Sequence, residues 1–282
     1  MKKAIVILFL VTALLFSAVA AESNDETELS LLAINVGKAD ALLLRSGGSA
    51  YLIDTGTKKS ADKLISVLRN EGVDRLTGVI LTHTHSDHTG GLKSLLESGI
   101  VVENIYTSKY YVLKKEDGKH PVEKAVKKAD YPQQYEYLAG GDSLPLEGGK
   151  LTAIGPVEFN QEVENCNSLV LLAEGGGGSM LLTGDMEFPE EDSLLKAEVI
   201  PQADVLKIGN HGEGDATSIQ LVTTVQPKLA VIPTNTEEEP DTPDPRVLKL
   251  LRDQGIQYVV TQDSENGILV TLKGGELSVD YR

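Results

Sequence analysis

The side chains best suited to chemistry lie in segment 81–91, which reads LTHTHSDHTGG. Three of the chain's five histidines and one carboxylate fall within six residues: His83, His85, Asp87 and His88. Neutral imidazole and carboxylate are ligands for zinc and also for manganese or iron. An apolar strand-like run precedes the cluster and two glycines follow it, so the ligands would converge from a tight strand-to-helix loop. The spacing predicts a metal site, against the alternative of a solvated loop that caps a helix.

The elements that would position this loop alternate between strand-like and helix-like patterns from Leu29 onward. Short apolar runs separated by glycines predict three opening strands, and a helix over 61–68 then leads to the strand that ends before His83. The second half of the chain repeats this alternation. Hairpins mixed with helical crossovers predict an α/β (α+β) fold with two mixed sheets and helices outside, in one domain over residues 22–282.

The N-terminus has the pattern of an export signal over residues 1–21. Two lysines precede an apolar run from Ala4 to Phe16, which small residues follow as far as Ala21. Cleavage would release an exported protein with no stable membrane span, either secreted or held in the cell envelope, whereas an uncleaved signal would remain as an anchor. Cys166 is the chain's one cysteine, so an internal disulfide cannot stabilise it.

The 282-residue chain is acidic, with 26 Lys and Arg against 42 Asp and Glu and a formal net charge of −16. This charge disfavours non-specific attraction to nucleic acid or anionic lipid through the global field. The composition, 41% hydrophobic and 24% charged residues, is that of an ordinary globular protein. It excludes a disordered chain and a multi-pass membrane protein.

One window departs from the acidic average. Residues 107–130 hold seven lysines against four acids, and six of the nine tyrosines lie in or beside the window. Lysines interleaved with aromatic rings suit a polyanion with stackable bases, such as single-stranded DNA, which makes Lys109, Lys114 and Lys115 candidate substrate-binding residues. A solvated helical face whose tyrosine rings pack on the core explains the same pattern.

The order of the motifs resembles the metallo-β-lactamase superfamily of metallo-hydrolases, whose H-x-H-x-D-H signature matches segment 83–88. Downstream, LTGD at 182–185 is similar to the family segment with the metal-bridging Asp, and IGNHG at 208–212 to the segment with the last His. The pieces NVGKADA at 35–41 and NCNSLVL at 165–171 are similar, more narrowly, to the soluble hydrolase domain of ComEC-type DNA-uptake competence proteins. The resemblance runs from about Leu29 to Tyr281 and implies a four-layer αββα sandwich of two mixed β-sheets flanked by helices.

The resemblance also implies two divalent metal ions, zinc or alternatively manganese. His83 and His85 would bind one metal, Asp87, His88 and His211 the other, and Asp185 both. Three further residues are expected around these ligands: Asp54, Asn167 and Asn210.

Two positions depart from the family pattern. Asn210 stands where competence-type relatives commonly carry the first His of a His-His-Gly motif. Many superfamily members also carry a His between the first motif and the bridging Asp. Here His120 lies too early, in an expected insertion, and weak binding of the first metal is expected.

The implied function is that of an exported dinuclear metal-dependent hydrolase of phosphodiesters, and the competence-type resemblance favours extracellular DNA as the substrate. Two cations bridged by a carboxylate and a water can supply hydroxide at neutral pH, with Asp87 expected to orient that water. Such chemistry needs no serine or cysteine nucleophile. Two alternatives stay open: hydrolysis of another phosphoester, such as cell-wall phosphocholine, and a non-catalytic binding module on the same fold. The sequence leaves the oligomeric state open.

Overall fold

The computed structural model describes residues 27–111, 120–132 and 135–282. The predicted export signal at 1–21 lies outside the described residues, and so do Lys114 and Lys115. Within the described ranges, no helix combines the length and the hydropathy that a membrane span needs.

The first half of the chain builds most of one sheet and its covering helices. Its strands are β1 (Leu29–Ile34), β2 (Leu42–Ser46), β3 (Ser49–Ile53), β4 (Arg75–Leu76), β5 (Gly78–Leu81), β6 (Val101–Val102), β7 (Ile105–Ser108) and β8 (Tyr135–Leu138). Its helices are α1 (Ala61–Asn70), α2 (Ser86–Thr89), α3 (Leu92–Glu97) and α4 (Pro121–Lys128). The predicted helix over 61–68 corresponds to α1, and the predicted strand before His83 corresponds to β5.

The second half builds the other sheet and then returns to the first. Its strands are β9 (Ser143–Leu146), β10 (Gly149–Gly155), β11 (Val170–Gly175), β12 (Gly178–Leu182), β13 (Val205–Lys207), β14 (Leu229–Ile232), β15 (Gln257–Val260), β16 (Gly267–Lys273) and β17 (Glu276–Tyr281). Its helices are α5 (Phe188–Lys196), α6 (Ile219–Val225) and α7 (Pro245–Asp253), with short 3-10 turns at Asn165–Asn167, Gly209–Gly212 and Thr261–Asp263.

Both large sheets are mixed. The first has eight strands in the order β17-β16-β1-β2-β3-β5-β7-β8, antiparallel as far as β3 and parallel from β3 to β8. The second has seven strands in the order β15-β14-β13-β12-β11-β10-β9, parallel from β15 to β12 and antiparallel beyond. Strands β4 and β6 pair separately. Each sheet is parallel where helices connect its strands, as crossover connections require.

Three apolar layers hold the sandwich together. Successive side chains of a strand point to opposite faces, so in β5 the Ile80 side chain packs between the sheets while Val79 packs under α1 and α3. The central layer joins both sheets, and the third layer lies between the second sheet and α5, α6 and α7, with Leu206 and Leu251 among its members. This arrangement confirms the predicted four-layer αββα sandwich.

Candidate metal centre

The ends of four parallel strands meet at one edge of the sandwich, hereafter the site edge. Asp54 follows β3, His83 follows β5, Asp185 lies just after β12 and His211 lies just after β13. Ligands in open α/β sheets bind at the carboxyl ends of the strands, and this edge is of that kind. Asp54 and His211 adopt left-handed backbone conformations, with φ of 60° and 52°, so the chain turns sharply at each strand end.

The segment that carries the histidine cluster is fixed against the loop after β3. Thr55 donates its backbone N–H and its hydroxyl to the His88 carbonyl, at 2.6 and 2.9 Å. A Cβ atom on Gly91 would lie 2.2 Å from the Thr55 carbonyl oxygen, and one on Gly90 would lie 2.5 Å from the Lys58 nitrogen. The glycine pair therefore allows two backbone segments to approach closely.

Four predicted ligands converge tightly on what we call the closed side of the site: Asp87, His88, Asp185 and His211. The Nε2 atoms of His88 and His211 lie 2.9 and 3.3 Å from Asp185 Oδ2, and His211 Nε2 lies 3.4 Å from Asp87 Oδ2. One donor atom from each residue falls within 4.8 Å of all the others. Three of the four are buried, and Asp87 is 30% exposed, so the cluster is open to solvent through Asp87.

Hydrogen bonds on the outer side of the rings set the tautomers of two closed-side histidines. His88 Nδ1 lies 2.7 Å from Asp54 Oδ2, and His211 Nδ1 lies 2.8 Å from the Pro233 carbonyl oxygen. Both partners accept, so each Nδ1 carries a proton, and in the neutral ring that binds a metal each Nε2 presents its lone pair to the site.

The two remaining predicted ligands, His83 and His85, form what we call the open side. His83 is buried, and its Nε2 lies 3.7 Å from Asp185 Oδ2. His83 Nδ1 lies 3.2 Å from the Thr82 hydroxyl, which itself donates to Asp54 Oδ2. The Thr82 oxygen can thus accept a hydrogen bond from His83 Nδ1–H, which again leaves Nε2 facing Asp185.

His85 is the least enclosed of the predicted ligands. Its side chain is 45% exposed, and its ring meets the His83 ring edge-on with centroids 4.7 Å apart. Glu164 Oε2 lies 3.9 Å from His85 Nε2. Glu164 was not among the predicted site residues; it directly precedes the Asn165–Asn167 turn.

A fully buried lysine supports the closed side. Lys207 Nζ lies 2.5 Å from Asp40 Oδ2, donates to the Gly184 carbonyl at 2.5 Å and lies 3.5 Å from Asp185 Oδ1. Asp40 Oδ1 in turn lies 3.4 Å from His211 Nδ1. Asp40 and Lys207 were not predicted as site residues. The available signals were a charged residue, Lys207, at the end of an apolar strand, and the place of Asp40 in the NVGKADA motif at 35–41.

The charges of the cluster shift its pKa values in the direction that favours a bound cation. Burial lowers the pKa of His211, but the negative charges of Asp185 and Asp87, 3.3 and 3.4 Å from its Nε2, outweigh it and raise that pKa to about 9. Burial raises the pKa of Asp185, yet His211, His88 and Lys207 together hold it well below its usual value. The negative field that attracts protons to the imidazoles would equally attract a metal ion.

The donor set suits a divalent metal. Within the described part of the chain, His83 Nε2 and His211 Nε2 are buried without a hydrogen-bond partner, which is costly unless another group satisfies them. Both face the same Asp185 oxygen. Two or three imidazole nitrogens with one or two carboxylates match the chemistry of zinc and manganese.

The two asparagines expected around the ligands contact other residues. Asn167 accepts from the Asn160 N–H and donates to carbonyls at positions 160, 163 and 164, so it orders the loop that carries Glu164. Asn210 donates to Glu187 and Asp215 and adopts φ of 43°, a conformation that asparagine tolerates. Their side chains thus bond loop groups, whereas Asp54 contacts a predicted ligand directly.

The lysine- and tyrosine-rich window divides into core and surface. Tyr106 and Tyr111 are buried, as the core-packing alternative expected. Lys109 is exposed just beyond β7, with its ammonium 5.5 Å from the Tyr110 ring centroid, and Tyr110 stacks on Phe159 with centroids 5.7 Å apart. Lys109 therefore lies at the site edge, one strand away from His83.

Cys166 and His120 have structural surroundings. Cys166 is buried, and burial raises the pKa of its thiol to about 12, which does not suit a nucleophile. His120 Nδ1 accepts the Glu123 N–H at the start of α4, and its ring stacks on Tyr135. Neither belongs to the two potential ligand groups found among the described residues.

Comparison with known proteins agrees with this geometry. The sequence profile of the metallo-beta-lactamase superfamily matches residues 34–232. The crystal structure of the metallo-beta-lactamase fold protein YhfI from Bacillus subtilis aligns with a TM-score of 0.56 and 13% identity, covering 87% of this chain and 99% of that one. This likeness concerns the fold.

Three curated relatives show a similar sequence. ComE operon protein 3 of Bacillus subtilis (strain 168) is 28% identical over 275 residues, which cover 91% of this chain and 34% of that protein. Competence protein ComA of Neisseria gonorrhoeae is 27% identical over 244 residues, 85% of this chain and 32% of that protein. Ribonuclease TTHA0252 of Thermus thermophilus is 31% identical over 184 residues, which cover 61% of this chain and 41% of that protein. The chain spans about a third of the length of the first two. The predicted resemblance to the superfamily and to competence-type proteins is confirmed.

Proposed function

The chain belongs to the metallo-β-lactamase superfamily, and from that premise we propose that it is an exported dinuclear metal-dependent phosphodiesterase that acts on extracellular DNA. The observation that carries the proposal is the closed side, where two imidazole nitrogens and two carboxylates lie within 4.8 Å of one another. The competence-type relatives and the ribonuclease favour nucleic acid over other phosphoesters.

Two divalent metals, zinc or alternatively manganese, are assigned to the two sides of the site. Asp87, His88 and His211 would hold one metal, His83 and His85 the other, and Asp185 would contact both. Bound there, the metals supply Lewis-acid activation of water and neutralise charge on the phosphoryl oxygens.

Asp87 is proposed to orient the attacking water. It is the partly exposed member of the closed side, so a water that enters from solvent meets its carboxylate first. Burial raises the pKa of Asp87, but the nearby imidazole of His211, with Nε2 at 3.4 Å, and the charge of His88 outweigh it and lower that pKa. Asp87 therefore stays ionised and accepts a hydrogen bond from the water.

The outer contacts of the rings keep the site in one protonation pattern. Asp54 and the Pro233 carbonyl retain the Nδ1 protons of His88 and His211, so each Nε2 remains a ligand. Lys207 opposes the negative charge of Asp40 and Asp185. Lys109, Lys114 and Lys115 remain proposed contacts to the substrate backbone, with Tyr110 as a stacking surface beside Lys109.

The test is an activity screen on residues 22–282 loaded with zinc or manganese. We expect hydrolysis of bis(p-nitrophenyl) phosphate and of single-stranded DNA, together with about two metals per chain by elemental analysis. Hydrolysis of phosphocholine esters in place of DNA would favour the cell-wall substrate. Stoichiometric metal without any turnover would favour a binding module and contradict the enzyme.

Export has its own test. N-terminal sequencing of protein recovered from the culture medium or the envelope fraction should give a chain that begins at or near Glu22. A protein found in the cytosol and beginning at Met1 would contradict the proposal.

A further inference from the structure

A cavity of about 900 Å³ opens next to the metal-binding segment. Its walls come from the loops after β1, β3 and β14, all of which lie at the site edge. It shares Ser86 and Gly90 with the histidine segment, and Ser86 lies between His85 and Asp87 in sequence. The cavity therefore borders the segment that carries the candidate ligands. We call it the lysine groove.

The charges that line the lysine groove are mostly positive. Three exposed lysines line it, Lys58, Lys59 and Lys63, and none forms an ion pair with a residue that the structure describes. Glu238 is the acidic side chain among the described lining residues, and its carboxylate accepts the Lys38 backbone N–H at 3.0 Å. In a chain with a net charge of −16, three unpaired cations at the site edge form a local exception.

The loop after β3, which carries Lys58 and Lys59, is held at a fixed place relative to the candidate ligands. The loop after β3 receives the Gly91 N–H at the Gly56 carbonyl and donates through Thr55 to the His88 carbonyl. Thr57 and Ser60 exchange side-chain and backbone hydrogen bonds, which close the turn that presents Lys58 and Lys59. A ligand bound by these lysines would thus keep one register with respect to the metal centre.

We propose that the lysine groove binds the phosphate backbone of a single-stranded nucleic acid and places a neighbouring phosphodiester over the metal centre. The proposal rests on the proposed function for its cleavage step, while the binding step stands on the groove itself. Unpaired ammonium groups supply phosphate contacts without sequence preference, and each contact adds to the salt dependence of binding.

The groove is better placed for this role than most of the lysine-rich window at 107–130. Lys124, Lys127 and Lys128 lie on α4, which leads into β8, and β8 runs parallel to β5 and β7. The end of α4 therefore lies at the edge opposite the metal centre. Lys109 lies at the site edge, so a triple variant of Lys109, Lys114 and Lys115 is the competing arm of the test.

The decisive variant is Lys58→Glu/Lys59→Glu/Lys63→Glu in the metal-loaded protein, with the milder triple Gln variant in case the Glu triple disturbs folding. The probe is a fluorescent phosphorothioate oligothymidylate, which resists hydrolysis, and binding is measured by anisotropy over a range of salt concentrations. We expect the Glu triple to weaken binding at least about tenfold. The slope of log affinity against log salt should fall by about 2, because each phosphate contact on a single strand contributes about 0.7.

A matched control carries the same charge change at the opposite edge: Lys150→Glu/Arg252→Glu/Lys273→Glu. Lys150 is the second residue of β10, Lys273 ends β16 and Arg252 lies in the last turn of α7, and the strand directions put all three far from the metal centre. We expect it to bind as the unmodified protein does, apart from the small effect of net charge.

Three outcomes are decisive. Equal binding by the groove triple and the opposite-edge triple would overturn the proposal. Weakening by the Lys109, Lys114 and Lys115 triple but not by the groove triple would overturn it as well. A protein that hydrolyses no phosphodiester, yet loses oligothymidylate binding only in the groove variants, would disprove the proposed function and support the groove.

Discussion

The closed and open sides of the candidate metal centre share Asp185 but differ in how firmly their other ligands are held. On the closed side, His88 and His211 are buried, and each bonds a fixed acceptor through Nδ1. On the open side, His85 is 45% exposed, and the Glu164 carboxylate lies 3.9 Å from its Nε2. Preorganised ligands bind metal more tightly than mobile ones. We therefore expect one tight and one weak metal equivalent.

The largest effect should follow from removing the shared ligand. Asp185→Asn keeps the shape of the side chain but removes the charge on which three imidazole nitrogens converge. We expect both metals to be lost and phosphodiester turnover to fall by about a thousandfold or more. Elemental analysis and rates on bis(p-nitrophenyl) phosphate measure this, with the exposed Asp192→Asn on α5 as control. Loss of one metal alone would disprove the assigned bridging role.

Removal of the buried Lys207 should destabilise the closed side, because this lysine neutralises two of the carboxylates there. Lys207→Met leaves Asp40 and Asp185 as buried carboxylates without their cation, which costs about 3 kcal/mol in the free energy of unfolding. Urea unfolding of the metal-free protein measures the loss. The double variant Asp40→Asn/Lys207→Met should recover part of it, because one of the unpaired charges is gone. An unchanged unfolding free energy in the single variant would contradict the proposed support.

A pair of ligand variants compares the two sides directly. His211→Ala should weaken the tight metal equivalent by about a hundredfold and leave the weak one measurable. His85→Ala should abolish the weak equivalent and leave the tight one nearly unchanged. Metal titration against a fluorescent chelator resolves the two equivalents. Identical losses in both variants would mean that the two sides act as one site.

The smallest effect should come from Glu164. Glu164→Gln should lower the affinity of the weak equivalent by about threefold, the usual size for a partly exposed charge contact. The same chelator titration reports it, and Glu162→Gln in the exposed part of the same loop is the control. A change in the affinity of the tight equivalent would contradict the assignment of Glu164 to the open side.

The sequence by itself determined the fold class and the histidine segment. The continuous apolar run of β5 and the helical spacing in α1 are local signals, which is why the two-sheet sandwich could be predicted. His83 to His88 lie within six residues, so their convergence needed only one loop. Asp185 and His211 are distant in sequence, and the resemblance to a known family supplied them.

Only the tertiary structure decided which side of the centre is closed and what supports it. The contacts between Lys207 and Asp40, between Asp54 and His88, and between Glu164 and His85 join residues far apart in the chain, and periodicity carries no information about such pairs. The same holds for the lysine groove, whose walls come from three loops. Asn167 shows the converse, because its motif indicated a place near the ligands while its hydrogen bonds go to a loop backbone. Local patterns fix elements and their faces, whereas burial, charge pairing and solvent exposure at the site arise only when the strand ends meet.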